Sequence, residues 1–147
     1  MKMFQRILFA TDFSPASIPA LEQSVKMAGR DEALLLIAHA YQEPGLAELS
    51  QAPARFYEEW NRELRERAER KLQPLVEHAR EEGVDARVLI LTGFADEAIV
   101  EAAKHENADL IVMGTHGRRG TARFFLGSVA ARVISAAPCP VMTVRGA

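Results

Sequence analysis

Between Met113 and Ser128 the chain reads MGTHGRRGTARFFLGS. The stretch holds four glycines, three arginines and one histidine, has no acid, and extends the apolar run DLIVM. Such residues can hold an anion. Backbone N–H groups in glycine-rich turns form concave donor sets, and arginines supply positive charge. A helix that begins near Gly127-Ser128 would add about half a positive charge and unpaired N–H donors. Gly117, Gly127 and Ser128 would then donate to phosphate. Two common fingerprints do not fit. G-x-x-x-x-G-K-[ST] needs a lysine that is absent here, and G-x-G-x-x-G belongs directly after the first strand, where this chain has DFSP. On these mechanics alone, a phosphate cradle and a flexible solvated loop both stand open.

The remaining candidates are fewer. Asp12 follows the first apolar run. It suits a nucleotide contact or a metal ligand, or it simply favours the dipole of the next helix. His39 suits a packing role with one satisfied nitrogen. His116 sits inside the loop, facing either phosphate or solvent. His78 and His105 fall among charged residues and are expected at the surface. No His, Cys and carboxylate set has metal-ligand spacing, so no protein-only metal site is expected. Ser128 reads as a phosphate ligand rather than a nucleophile. No paired carboxylates, arranged base or Cys-His pair supports fast chemistry.

Composition narrows the class. The chain has 147 residues, 48% apolar and 26% charged, with a net charge of -2. One domain is expected, able to bury roughly 68–70% of its unfolded surface. All 20 acids lie at or before Asp109, against 13 basic residues, and five arginines but no acid follow. Positive charge gathered around one loop suggests a local anion site, not a nucleic-acid coat. No run approaches the ~18 apolar residues of a membrane span. The opening MKMFQRILFATDF is not expected to be a signal peptide. Cys139 is the single cysteine, which suits the reducing cytoplasm.

The elements that must position these residues follow from periodicity. Apolar runs at 6–11, 33–41, 86–91, 109–114 and 140–144 read as strands. The first four are nearly continuous, as in a parallel sheet buried on both faces. Helical spacing fills the gaps. A first helix begins with Ser14 as cap and Pro15 in the first position, or near Ser17 because of Pro19, and closes at Gly29. A long helix covers 53–82 with Phe56, Trp60, Leu64, Ala68, Leu72, Leu75, Val76 and Ala79 inward, a kink at Pro74 and an end at Gly83. Trp60 is expected to pack in the core. A third helix spans 95–106, with Ile99, Val100 and Ala103 inward, and a fourth runs from near Leu126 to before Pro138. Residues 42–53 suit a mobile flap or linker. The order βαβαβαβαβ makes an α/β fold with helices on both faces of a parallel sheet.

Gly114, Gly117 and Gly127-Ser128 spell G-x-x-G-x9-G-[ST]. With RILFATDFSPAS, LIAHAY, GFADEAIVEAAKHENADLIVMGTHGRRG and LGSVAARVISAAPCPVMTV in chain order, the sequence resembles the universal stress protein family, in its ATP-binding branch. The resemblance implies a Rossmann-like, adenine-nucleotide alpha hydrolase-like fold, with a five-stranded parallel sheet of order 3-2-1-4-5. It implies ATP as ligand, with Mg2+ held through the phosphates. Asp12 would contact the base, with Ala10 and Thr11 beside it, and Ala40 and Met113 would pack on the adenine faces. Gly114 would meet the ribose. Gly117, Gly127 and Ser128 would meet the phosphates, next to Val129 and His116. Arg118, Arg119 and Arg123 are additional, reaching either the β- and γ-phosphates or solvent. Ala10 stands where many members have proline. The resemblance further implies a homodimer through residues 140–145 and a nucleotide-responsive regulatory role in stress. No membrane or nucleic-acid partner is expected. A slow ATPase or self-phosphorylating enzyme, and a non-nucleotide interaction module, remain as alternatives.

Overall fold

The computed structural model describes residues 1–43, 53–116 and 126–146. Strands β1 (Arg6–Ala10), β2 (Leu34–Tyr41), β3 (Ala86–Thr92), β4 (Leu110–Gly114) and β5 (Val141–Val144) form one sheet of order β3-β2-β1-β4-β5. Every pairing is parallel. β1 is central, with Ile7 facing Leu35 on one side and Leu110 on the other. Its continuous apolar run has a direct cause. Ile7 and Phe9 enter one core layer while Leu8 and Ala10 enter the other, so both faces of the pleat are buried.

Helices α1 (Ile18–Asp31) and α2 (Ala54–Glu81) cover the first face. Leu21, Val25 and Ala28 pack there with Leu72, Val76 and Ala79. Helices α3 (Ala95–His105) and α4 (Ser128–Ala136) cover the second, through Ile99, Val100, Ala103, Ala130 and Val133.

In three places the helices decide or depart from the sequence reading, and the first is the start of α1 next to Ser17, as Pro19 implied. Pro19 falls in the first turn of α1, where no N–H is needed, and a 3-10 turn at Pro15–Ser17 precedes it. The Ser14 side chain makes no capping bond; its carbonyl accepts the Ser17 N–H instead, at 3.0 Å. Nor does α1 close at Gly29. It runs to Asp31 and ends at Glu32, whose φ of 53° is left-handed. Gly29 is interior, and a methyl added there would meet only Val84 Cγ2, at 3.7 Å.

The third departure concerns α2. Ala68, Leu72, Val76 and Ala79 are buried as expected, but Phe56 and Trp60 are 49% and 44% exposed. Trp60 is therefore not a core residue. Length explains this. Twenty-eight residues make a helix of about 42 Å, whereas the eight residues of β2 span roughly 26 Å. The first turns of α2 overrun the sheet. The helix passes through Pro74 and ends before Gly83, which adopts φ 83°.

Two carboxylates fix the start of β1. Asp31, fully buried, accepts the N–H groups of Met3 and Phe4 at 3.0 and 2.8 Å and the Arg30 guanidinium at 2.7 Å. Asp109 accepts those of Gln5 and Arg6 at 2.8 and 3.1 Å. The Arg30 side chain, then the Phe4 and Met3 amides, hold the Asp31 carboxyl well below the usual range against the opposing effect of burial. A depressed carboxylate pKa gives stability that is present above its unfolded value and lost as pH falls below it. Thermal melting should therefore drop as pH falls below about 4. Asp31→Asn should melt lower at pH 7 and lose less over the same acid range. Equal acid slopes for both proteins would exclude this clamp.

Candidate functional site

β1 and β4 lie side by side, but the chain leaves them toward opposite faces of the sheet, to α1 and to α4. The connections part, and a crevice opens at the carboxyl ends of the strands, as expected where strand order reverses. A cavity of about 390 Å³ occupies it, within the usual range of small-ligand sites.

The sequence-predicted residues Ala10, Thr11, Asp12, Ala40, Met113, Gly114, His116, Gly127, Ser128 and Val129 all line this cavity. Gly117, Arg118, Arg119 and Arg123 lie outside the described residues, as does most of the 42–53 segment. Ser17, Ala38, Ala95, Ile99, Thr115 and Ala130 also line the cavity and were not anticipated. Ala38 was within reach of sequence reasoning, because it shares a strand face with Ala40 at period two. Ser17 reaches the site only through the 3-10 turn, for which periodicity carries no signal. Alanines at 10, 38, 40 and 95 keep the wall low, so the space exists because side chains there are small.

The hydroxyls at the β1 end have fixed proton directions. Ser17 Oγ donates to the Ser14 carbonyl at 2.8 Å. Its contact with Thr11 Oγ1, at 2.9 Å, must then use the Thr11 proton, since a hydroxyl carries one. Thr11 Oγ1 also accepts the Phe13 N–H at 2.9 Å. Both protons are committed, so toward a ligand each oxygen can act only as an acceptor. Asp12 Oδ1 accepts the Ser14 N–H at 2.9 Å, which sets the carboxylate in the wall. His39 Nδ1 donates to the Thr11 carbonyl at 2.8 Å, the satisfied packing role that was expected.

The opposite end offers donors. Gly127 caps α4, leaving the helix N-terminus with no side-chain cap. Ser128, Val129 and Ala130 of the first turn line the cavity, and their N–H groups have no intrahelical acceptor. His116 Nδ1 lies 2.9 Å from Thr115 Oγ1, while its buried Nε2 has no hydrogen-bond partner among the described residues. A buried polar atom of this kind calls for a ligand or water.

Two of the glycines also have a role within the chain itself. Neither Gly114 nor Gly127 has positive φ. A Cβ at Gly127 would stand 2.9 Å from the Thr115 carbonyl oxygen, and one at Gly114 would stand 3.3 Å from that of Ala16. Gly127 N–H in turn bonds that Thr115 oxygen. These residues let the chain approach itself, closing the loop mouth onto β4.

Among the described residues no group of His, Cys, Asp and Glu could hold a metal ion, and no helix is long and apolar enough to cross a membrane. Burial pushes the Cys139 thiol upward, with Asp109 adding to it, so its reactive thiolate is disfavoured.

Residues 3–145 match the sequence profile of the universal stress protein family. The chain belongs to that family. A universal stress protein of Thermus aquaticus is 40% identical over 146 residues, covering 97% of this chain and all of the relative. The solved protein MJ0577 of Methanocaldococcus jannaschii superposes with a TM-score of 0.84 at 28% identity, covering 97% of this chain and 96% of the other. A universal stress protein solved in complex with cAMP superposes at 0.71, also 28% identical, over 98% of both chains. The strand order of this universal stress protein is the one its sequence resemblance implied.

The two tested glycine environments differ in the room they leave. Gly127→Ala should destabilise by about 1–3 kcal/mol, the usual range for overpacking. Gly29→Ala should stabilise by about 0.4–1 kcal/mol, because it only removes unfolded-state freedom. Denaturant melts of both variants check this, and a neutral Gly127→Ala would show that the loop closure is slack.

Proposed function

We propose that this universal stress protein binds ATP in the cavity and acts as a nucleotide-responsive regulator in the cytoplasm. The observation that carries the reading is the polarity of one cavity. Apolar walls and fixed acceptors lie at one end, and an uncapped helix N-terminus with the orphan His116 Nε2 lies at the other. An adenine suits the first end, between Ala40 and Met113, with its amino group toward Asp12. The ribose suits Gly114, and the phosphates suit Gly127, Ser128 and the α4 amides. The complex of a relative with cAMP supports an adenine nucleotide here. Magnesium would be carried on the phosphates, since the described residues offer no cluster of their own. Hydrolysis should be slow. Asp12 is the one carboxylate among the cavity's described lining residues, and it sits at the base end, remote in role from an attacking water.

Calorimetric titration of nucleotide-stripped protein with ATP and Mg2+ should give one site per chain. Ser128→Ala should weaken it roughly 3–10-fold, the value of one hydrogen bond, and Asp12→Ala should weaken it by more. Competition with ADP, AMP and cAMP ranks the nucleotides. No saturable heat at concentrations able to detect ~100 μM affinity would overturn the reading.

We also infer a homodimer through β5. This strand ends the sheet and leaves one backbone edge without a strand partner among the described residues, a surface that natural proteins cover or pair. Light scattering should give twice the 16.2 kDa chain mass. A single-chain mass at micromolar concentration would rule the dimer out.

A further inference from the structure

A second concavity of about 310 Å³ lies across the sheet from the first, under α2. Phe13, Leu64 and Ala68 give it an apolar floor and side, and Arg67 and Lys71 stand on its rim. Asp12 and His39 form the wall between the two cavities and line both.

Three features mark this groove as more than a gap in packing. The first is charge. Arg67 and Lys71 are four residues apart on one face of α2, both exposed, and like charges at that spacing repel by a few tenths of a kcal/mol. Lys71 has no acid three or four residues away along the helix, whereas Arg65 pairs with Glu69. Neither Arg67 nor Lys71 has an ion pair among the described residues. The second is backbone strain. Phe13 adopts φ 65°, a conformation that is unfavourable for a bulky side chain. The Thr11 hydroxyl holds its N–H, and its ring lies against His39 at 4.2 Å between centroids. The strained turn keeps a large aromatic face half-exposed on the groove floor. The third is geometry. Lys71 Nζ stands 5.2 Å from the centre of that ring, so a cation and an apolar face already meet at one point. The volume is at the lower end of small-ligand pockets.

We propose that this groove is a second ligand site, separate from the nucleotide cavity, for a small organic anion of the aromatic carboxylate class. The carboxylate sits between Arg67 and Lys71, where it relieves their repulsion and gains charge-assisted hydrogen bonds. The flat apolar body covers Phe13, Leu64 and Ala68. The binding needs no nucleotide, so it stands or falls independently of the ATP reading.

The test uses 4-fluorophenylacetate as the probe, followed by fluorine NMR of the full chain. Saturable binding with a Kd below about 1 mM is expected. The Arg67→Gln/Lys71→Gln double variant should raise that Kd about tenfold or more, with the melting temperature unchanged because both side chains are exposed. The neutral amide of the same probe should bind at least tenfold more weakly. Lack of saturation, equal affinity for the amide, or an unchanged Kd in the double variant would each overturn the proposal.

Discussion

The placement of β1 between two parallel neighbours is the constraint on which the rest depends. β1 pairs with β2 on one edge and with β4 on the other, and the carboxylates of Asp31 and Asp109 hold the backbone amides that lead into it. With β1 fixed, every strand ends on the same side. The connections after β1 and β4 then diverge to opposite faces, and they cannot fill the space between them. The site is thus a product of topology before any individual side chain is chosen. Side chains decide its width, through a run of alanines, and its polarity, through Asp12 and the start of α4.

The two ends of the cavity are held by different kinds of bond. At the β1 end, a short relay of hydroxyls is ordered by elimination, because the Ser14 carbonyl can only accept. The loop end instead relies on backbone contact. Gly127 N–H meets the Thr115 oxygen, and Thr115 N–H reaches Val144 of β5 at 3.1 Å. The loop mouth is therefore tied to the outermost strand. Whatever seats or shifts β5 acts on the same peptide that closes over the helix N-terminus.

Much of this was legible in the sequence, and the physics explains which parts were not. Apolar runs located all five strands, most plainly β1 and β4, where burial on both faces leaves no polar alternation. Spacing of the glycines located the loop but not the contacts within the chain that two of them permit. Gly114 and Gly127 serve close chain approach, which depends on atoms far away in sequence and has no local signature. Gly29 failed as a helix stop for a related reason. Glu32 takes the left-handed position three residues later, and propensity alone would not choose it. Phe56 and Trp60 kept the helical period, yet periodicity cannot say where the sheet beneath a helix ends. The strained φ of Phe13 was invisible as well, since nothing in FATDFSP departs from an ordinary turn. The family resemblance carried the strand order, which periodicity does not encode.

The position of β1 also bears on how the chain emerges from the ribosome. The strand made first occupies the centre of the sheet, and its second partner, β4, begins only at Leu110. For most of synthesis a strand that is apolar from Ile7 to Ala10 is paired on one edge alone. Open apolar edges invite pairing with other chains. The charged length of α2, made in the interval, packs across one face of β2 and β3 and keeps that half-built sheet hydrated on its outside. Closing the β1–β4 seam at last does two things together: it removes the exposed edge and creates the crevice. In this fold, the pairing of the central strand and the birth of the binding site are one event.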